Sequence, residues 1–363
     1  MNFTHASRTL SLPMSTDDIS EKLTSTPIID YKRTSETSLI IDTPLSNNTS
    51  ISAKAIHPYH LGASLYMPAT RGDIWQVISR VKLPQLNSVI ICLEDAVSES
   101  DVPFALDNLQ QILDRWYADD GLSTSGYAHS LRPLVFVRPR NPQMMQELLD
   151  MPHIDLVDGY VLPKIDMDTL SDWRVACQEI NKNSLLMPTL ETGRLFDSSH
   201  NKELVNALGH AFDERIFALR IGGNDLFATI RQRRPNNTTI YETPVGLLIH
   251  QLIGIFAVAG YYLSAPVFEY FDRTALFMQE LSQDVSFGLV GKTVIHPSQI
   301  PLVQQAFCVP SSMLEEAKAI LDSEAKAVFK HNNTMLEPAT HHAWAVEVLQ
   351  RAKVFGVLGN EPL

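Results

Sequence analysis

The chain has 363 residues, 45% of them hydrophobic and 19% charged, a globular composition long enough for one large domain with appendages or for two. A net charge of −12 argues against nucleic acid or an anionic membrane as partner. Three cysteines (Cys92, Cys177 and Cys308) stand apart with no CxxC pair, which argues against a disulfide framework or a zinc site and points to a reducing cytoplasm.

Residues 1–57 are rich in Ser and Thr with little periodicity. Such a stretch buries little apolar area, so a largely irregular tail is expected, with one short helix near "STDDISEKL". The start of the chain lacks the basic flank and apolar core of a signal peptide. "HPYH" at 57–60 reads as a polar linker rather than a metal site. From about residue 60 the texture changes to short apolar runs separated by longer amphipathic stretches. The runs are, in order, "ASLYMP", "SVIICLED", "PLVFVRP", "GYVLPK", "LLMPTLET", "IFALRIGG", "YYLSAPVF" and "KTVIHP". Helical patterns lie between them, among them "DIWQVISRVKL", "DVPFALDNLQQILDRWY", "DMDTLSDWRVACQEI" and "RTALFMQELSQDV". The runs are apolar on both faces, as parallel strands covered by helices must be. Eight strand–helix units over about 240 residues match a (β/α)8 TIM barrel, expected here over residues 58–309. A doubly wound open sheet is the rival, weakened by the lack of a Gly-rich phosphate loop after the first strand. The long apolar run "VGLLIHQLIGIFAVAGYYLSAP" contains His250, Gln251 and Gly254 and reads as a buried helix leading into a strand, not a membrane span. Residues 310–363 read as a C-terminal helical extension, with helices over "SSMLEEAKAILDSEAKAVFK" and "HHAWAVEVLQRAKVFG".

In such barrels the chemistry sits at the C-terminal strand ends. Those ends carry Arg71 after the first run, Glu94 and Asp95 after the second, and Arg138 and Arg140 after the third. Lys164, Glu191, Asn224 with Asp225, Glu269 and His296 follow in turn. Any one of them could be a rim charge, a helix cap or half of an ion pair. A full ring of charges converging on one mouth would be costly without a purpose. Glu191 and Asp225 are hard oxygen ligands from adjacent strands and suit Mg2+, which leaves most of its positions to water and substrate. No His/Cys cluster competes for a softer metal. Arg138 offers a fork for a carboxylate. Metal plus arginine implies a small, oxygen-rich anionic substrate. Gly222 and Gly223 would let backbone N–H groups approach that anion, with Asn224 beside them. The competing reading has the glycine pair end the strand and Asn224 or Asp225 cap the next helix.

The motifs "LYMPATR", "ICLEDAV", "VFVRPR", "GYVLPKID", "MPTLET", "LRIGGNDL" and "GKTVIHPSQI", in this order and spacing, resemble the HpcH/HpaI aldolase and citrate lyase β-subunit (CitE-like) superfamily over about residues 61–309. "YETPVG" and "LSAPVFEY" make the chain most similar to CitE-like C–C bond lyases of bacterial tellurium-resistance and stress clusters. The resemblance implies a Mg2+-dependent lyase or aldolase acting on a keto- or hydroxy-acid, free or as a coenzyme A thioester, in a trimer or hexamer. It implies Glu191 and Asp225 as metal ligands and Arg138 as the carboxylate-binding residue, with Arg71, Glu94, Asp95 and Lys164 lining the same mouth. The proton acceptor is left open among metal-bound water, Glu94 and a neighbouring subunit's carboxylate. Two rivals stand beside this reading: a phosphoenolpyruvate- or pyruvate-using barrel enzyme, and a non-catalytic keto-acid-binding protein of a stress operon. "RQRR" at 231–234 could favour phosphate, though a solvated basic loop is the plainer reading.

Overall fold

A computed structural model of the chain describes residues 56–119, 132–212 and 215–359. The expected tail and its short helix fall outside these, apart from residues 56 and 57. Eight parallel strands form the central sheet: β1 (Gly62–Pro68), β2 (Ser88–Cys92), β3 (Leu134–Arg138), β4 (Gly159–Leu162), β5 (Leu185–Leu190), β6 (Leu219–Ile221), β7 (Leu263–Ser264) and β8 (Gly291–Val294). They pair in sequence order, and β1 pairs with β8. Parallel pairing of Ala265 with Lys292 joins the β7 end to β8 and closes the barrel. Every residue of β2 and β3 is buried, as strands covered on both faces require. The eight apolar runs therefore appear as strands in their predicted order.

The helices follow local chemistry. Asn141 and Thr243 cap the helices Pro142–Leu149 and Pro244–Phe256 by accepting from the N–H groups of Met144 and Gly246, and each helix opens on proline. The second of these is the long apolar run; it is followed by β7, as expected. No helix among the described residues is long and apolar enough to cross a membrane. The helix expected over 73–83 is confined to Ile74–Ile78, because the chain turns out through left-handed backbone at Arg80 and Leu83.

Two further expectations are corrected. "HPYH" is not a linker: it forms a 3-10 turn, Pro58–Leu61, capped by the His57 ring, with Tyr59 and Leu61 in the core below β1. The single helix expected over 311–330 stops at Ile320. Phe329–His331 instead pairs antiparallel with Thr334–Leu336, and Asn332 and Asn333 carry the left-handed backbone of the two-residue turn. Val309, Ala317, Ile320, Leu336, Ala345 and Val348 form a small core of their own beside the barrel. The helix Pro338–Phe355 ties this part to the barrel: Phe355 packs on Tyr59 and Phe307, and Glu347 accepts from the Tyr262 hydroxyl at 2.8 Å.

Candidate active site

Parallel register puts the charged strand ends side by side. Cys92 and Arg138 are partners, so Glu94 and Asp95, just past β2, reach the Arg138 guanidinium. Arg138 Nη2 lies 2.6 Å from Glu94 Oε2, 3.2 Å from Glu191 Oε1 and 3.3 Å from Asp95 Oδ2. Lys164 follows β4 in a left-handed conformation (φ 51°). In that pose its N–H donates to Glu191 Oε1 at 2.8 Å while its ammonium pairs with Glu94. Left-handed backbone at a residue with a Cβ stores strain, and such strain concentrates at functional sites.

The β5–β6 pairing sets the next layer. Thr189 partners Arg220 and Leu190 partners Ile221. The same ladder continues through Gly222 N–H to Leu190 O at 3.0 Å, so Gly222 lies beside Glu191. A Cβ on Gly222 would meet Glu191 Cβ and Oε2, each at 2.4 Å. The glycine is required by close approach, but of the Glu191 side chain; its φ is −89° and needs no left-handed freedom. Gly223 plays a different part. It opens the helix Gly223–Thr229, and its missing side chain faces Pro266 and Ile240 rather than the cavity centre. Neither Asn224 nor Asp225 is the cap: Gly222 holds that position, and both polar residues fall inside the first turn.

These residues surround a cavity of about 580 Å³ at the C-terminal mouth. Its walls include Asp95, Arg138, Glu191, Gly222, Gly223, Asn224 and Asp225 from the expected set. Glu94 lies just beneath, with Oε1 on Lys164 and Oε2 on Arg138 and the Asp95 N–H. Arg71 is not brought into the cluster. Its guanidinium is 54% exposed and grips Asp73 at 2.8 Å, facing a neighbouring hollow with Lys82 and Pro297. His296 bonds Ser298 within its turn, at 2.7 Å, and is a turn residue. Cys92 is buried at the end of β2, and burial raises its thiol pKa.

Sequence reasoning missed two participants, Arg220 and Tyr66. Arg220 rises from β6, is 5% exposed, and donates to Thr293 Oγ1 at 2.6 Å. A charge inside the apolar run "IFALRIGG" was the available signal. Tyr66 lies under both guanidiniums, 4.6 Å from Arg220 and 6.0 Å from Arg138. Within "RQRR", Arg231, Gln232 and Arg233 are exposed, as a solvated basic loop requires, and Arg233 lines the rim, whereas Arg234 is buried and paired with Glu280. Glu280 and Asp284 in turn hold Lys292, which is fully buried, at 2.6 and 2.9 Å.

The electrostatics are unbalanced in a specific way. Burial pushes the Glu191 carboxyl up to about 7, against the pull of Arg138 and aided by Asp225. Burial, then the charge of Asp95, raises Asp225, which makes no ion pair among the described residues. Two neighbouring carboxylates held above their ordinary range are what a hard dication would relieve. Among the described residues no third carboxylate, imidazole or thiolate completes a cage, so the pair fits a metal that keeps positions for substrate and water.

A model of the C–C bond lyases of the TIM-barrel fold matches residues 55–357. Over 268 residues the chain is 23% identical to a (3S)-malyl-CoA thioesterase of Cereibacter sphaeroides, covering 73% of this chain and 82% of that protein. CitE of Mycobacterium tuberculosis in complex with magnesium, acetoacetate and coenzyme A superposes with a TM-score of 0.58 at 18% identity, covering 80% of this chain and 98% of that one. The same protein with magnesium and pyruvate gives 0.51 at 17%, covering 78% and 96%. At these identities the likeness of structures is one of fold.

Proposed function

The chain belongs to the C–C bond lyases of the TIM-barrel fold, and on that premise we propose that it cleaves or forms a carbon–carbon bond in a small hydroxy- or keto-acid, with Mg2+ held by Glu191 and Asp225. The observation that carries the reading is the unpaired Asp225 beside a Glu191 carboxyl pushed up to about 7. The magnesium complexes of CitE point the same way. Bound there, Mg2+ supplies Lewis-acid stabilisation of charge developing on a substrate oxygen.

The chain's own groups do the rest. Arg138, clamped by three carboxylates, is held in one pose and orients the acid. Glu94 has both oxygens engaged and is therefore a positioning residue for Arg138 and Lys164. Asp95, with its side chain 57% exposed on the cavity wall, is the carboxylate placed to take up a proton; against the effect of burial, Glu94, Arg138 and Lys164 lower its pKa, so it stands ionised as a base. In the cleavage direction the hydroxyl proton passes to Asp95, the C–C electron pair goes to the enolate fragment, and the other fragment leaves with the new carbonyl. Coenzyme A, seen with CitE, makes a thioester one form of the substrate and the free acid the other. Arg233 on the rim favours a second reading in which the anion is a phosphate, as in phosphoenolpyruvate.

Calorimetry with MgCl2 tests the metal pair. Asp225→Ala is expected to weaken Mg2+ binding at least about tenfold; unchanged affinity overturns the ligand assignment. Mass-spectrometric product assays with hydroxyacyl-CoA thioesters, free hydroxy acids and phosphoenolpyruvate separate the substrate forms.

A further inference from the structure

Arg138 does not account for all the positive charge under the cavity. A second guanidinium, Arg220, lies on the same Tyr66 ring and has no carboxylate partner among the described residues. Among the described residues its one hydrogen bond is to a neutral hydroxyl, Thr293 Oγ1, and its buried Nε–H has no partner. Three further polar atoms in the same part of the barrel are buried and unbonded among the described residues: Tyr66 Oη, Arg138 Nε and Thr189 Oγ1. Thr189 shares Arg220's side of the sheet, because the two are register partners. Buried polar atoms are seldom left unpaired, and a buried charge without a counter-charge is costlier still. One orphan in a strand would be unremarkable. Four in this part of the barrel, two of them on guanidiniums that face the Tyr66 ring, describe a cradle rich in donors. The accessible face of that cradle opens into the cavity, whose walls include Tyr66, Arg138, Arg220 and Thr293.

Strand geometry places this cradle below the carboxylate pair. Arg220 precedes Gly222 by two residues on the inward face, so its Cα lies roughly 6.6 Å deeper along the strand than that of Gly222, and its side chain extends to the Tyr66 ring. A ligand bridging both levels needs an oxygen anion at each end. We infer that Arg220, Thr293 and the Tyr66 hydroxyl form a second anion subsite at the cavity floor, which receives the far carboxylate of a dicarboxylic hydroxy- or keto-acid. The assignment of the ligand rests on the proposed function; the unpaired guanidinium does not. Burial, together with the nearby Arg138 charge, lowers the Arg220 pKa against the pull of Glu191.

Malate and lactate test the subsite, since both are 2-hydroxy acids and differ in the second carboxylate. Calorimetry in MgCl2 should show wild-type protein binding malate at least about tenfold more tightly than lactate. Arg220→Gln should abolish that preference and leave lactate and Mg2+ affinities within about twofold of wild type. Arg220→Lys should recover part of it. Ligand-free Arg220→Gln should unfold at the wild-type temperature or above, because a buried charge without a counter-ion is removed. An arginine needed only for structure would show a fall instead. Equal binding of the two acids by wild type overturns the subsite and leaves the functional reading intact. So does equal loss of both acids in Arg220→Gln, or a lowered unfolding temperature. Wild-type protein that binds neither acid overturns the functional reading and, with it, the ligand assigned here.

Discussion

Gly222→Ala is the sharpest perturbation the site offers. The new Cβ would lie 2.4 Å from both Glu191 Cβ and Glu191 Oε2, whereas ordinary contact begins at 3.4 Å. Glu191 must therefore retreat by about 1 Å, and it cannot do so freely. Its Oε1 accepts from the Lys164 N–H at 2.8 Å and from Arg138 at 3.2 Å. Overpacking of this kind costs about 1–3 kcal/mol of stability, which for a domain of this size is a fall of several degrees in Tm. The functional loss should be larger, since a misplacement of about 1 Å in a catalytic group costs on the order of a hundredfold. Gly223→Ala is the internal control. Its Cβ would meet Pro266 Cβ at 3.0 Å and Ile240 Cδ1 at 3.4 Å, a few tenths of an ångström from relief. Mg2+ calorimetry and thermal unfolding on the two variants, side by side, separate the effects. Gly222→Ala should lose about ten- to a hundredfold in Mg2+ affinity, and Gly223→Ala no more than about threefold. If Gly222→Ala binds Mg2+ within about threefold of wild type, the close approach does not position the ligand and the argument fails.

Two other outcomes are expected. A Glu191 carboxyl held near 7 rather than its ordinary 4.5 binds its proton more tightly folded than unfolded. Its contribution is complete below pH 4.5 and is lost as pH rises through 7, with an upper bound of about 3 kcal/mol. Tm of the metal-free protein should thus decline between pH 5 and 8, and Glu191→Gln should flatten that decline; a variant that declines as steeply as wild type refutes the linkage. Lys292→Met removes the cation from a fully buried group, stripping Asp284 of its ion pair and leaving Glu280 with Arg234 alone. Uncompensated buried charge of this kind costs roughly 3–5 kcal/mol. Urea unfolding should show it, and a loss under about 1 kcal/mol would mean that the network contributes little.

The barrel was legible in the chain because its evidence is local. Eight apolar runs, apolar on both faces and bounded by polar ends, require parallel strands covered by helices, and the order of the runs is the order of the strands. The charged ends announced the mouth for the same reason: Glu94, Asp95, Arg138, Lys164, Glu191 and Asp225 each follow their run directly, so their placement needs only the rule that strand ends converge. What the tertiary structure alone decided was which groups pair and which stay unpaired. Arg71 sits at a strand end like the others, yet Asp73 two residues on captures it, and sequence position cannot rank a local partner against a distant one. Gly222 and Gly223 are adjacent and alike in the sequence; only the β5–β6 register shows that one faces Glu191 and the other Pro266. In "RQRR" three residues stay at the surface as read, and only the fold shows that the fourth, Arg234, is drawn in by Glu280, 46 residues away. Arg220 was the most informative omission. A lone arginine in an apolar strand signals itself, but its role is set only when Tyr66 from β1, Thr189 from β5 and Thr293 from β8 become its neighbours, since burial and satisfaction of a polar group depend on residues that the chain brings together only by folding.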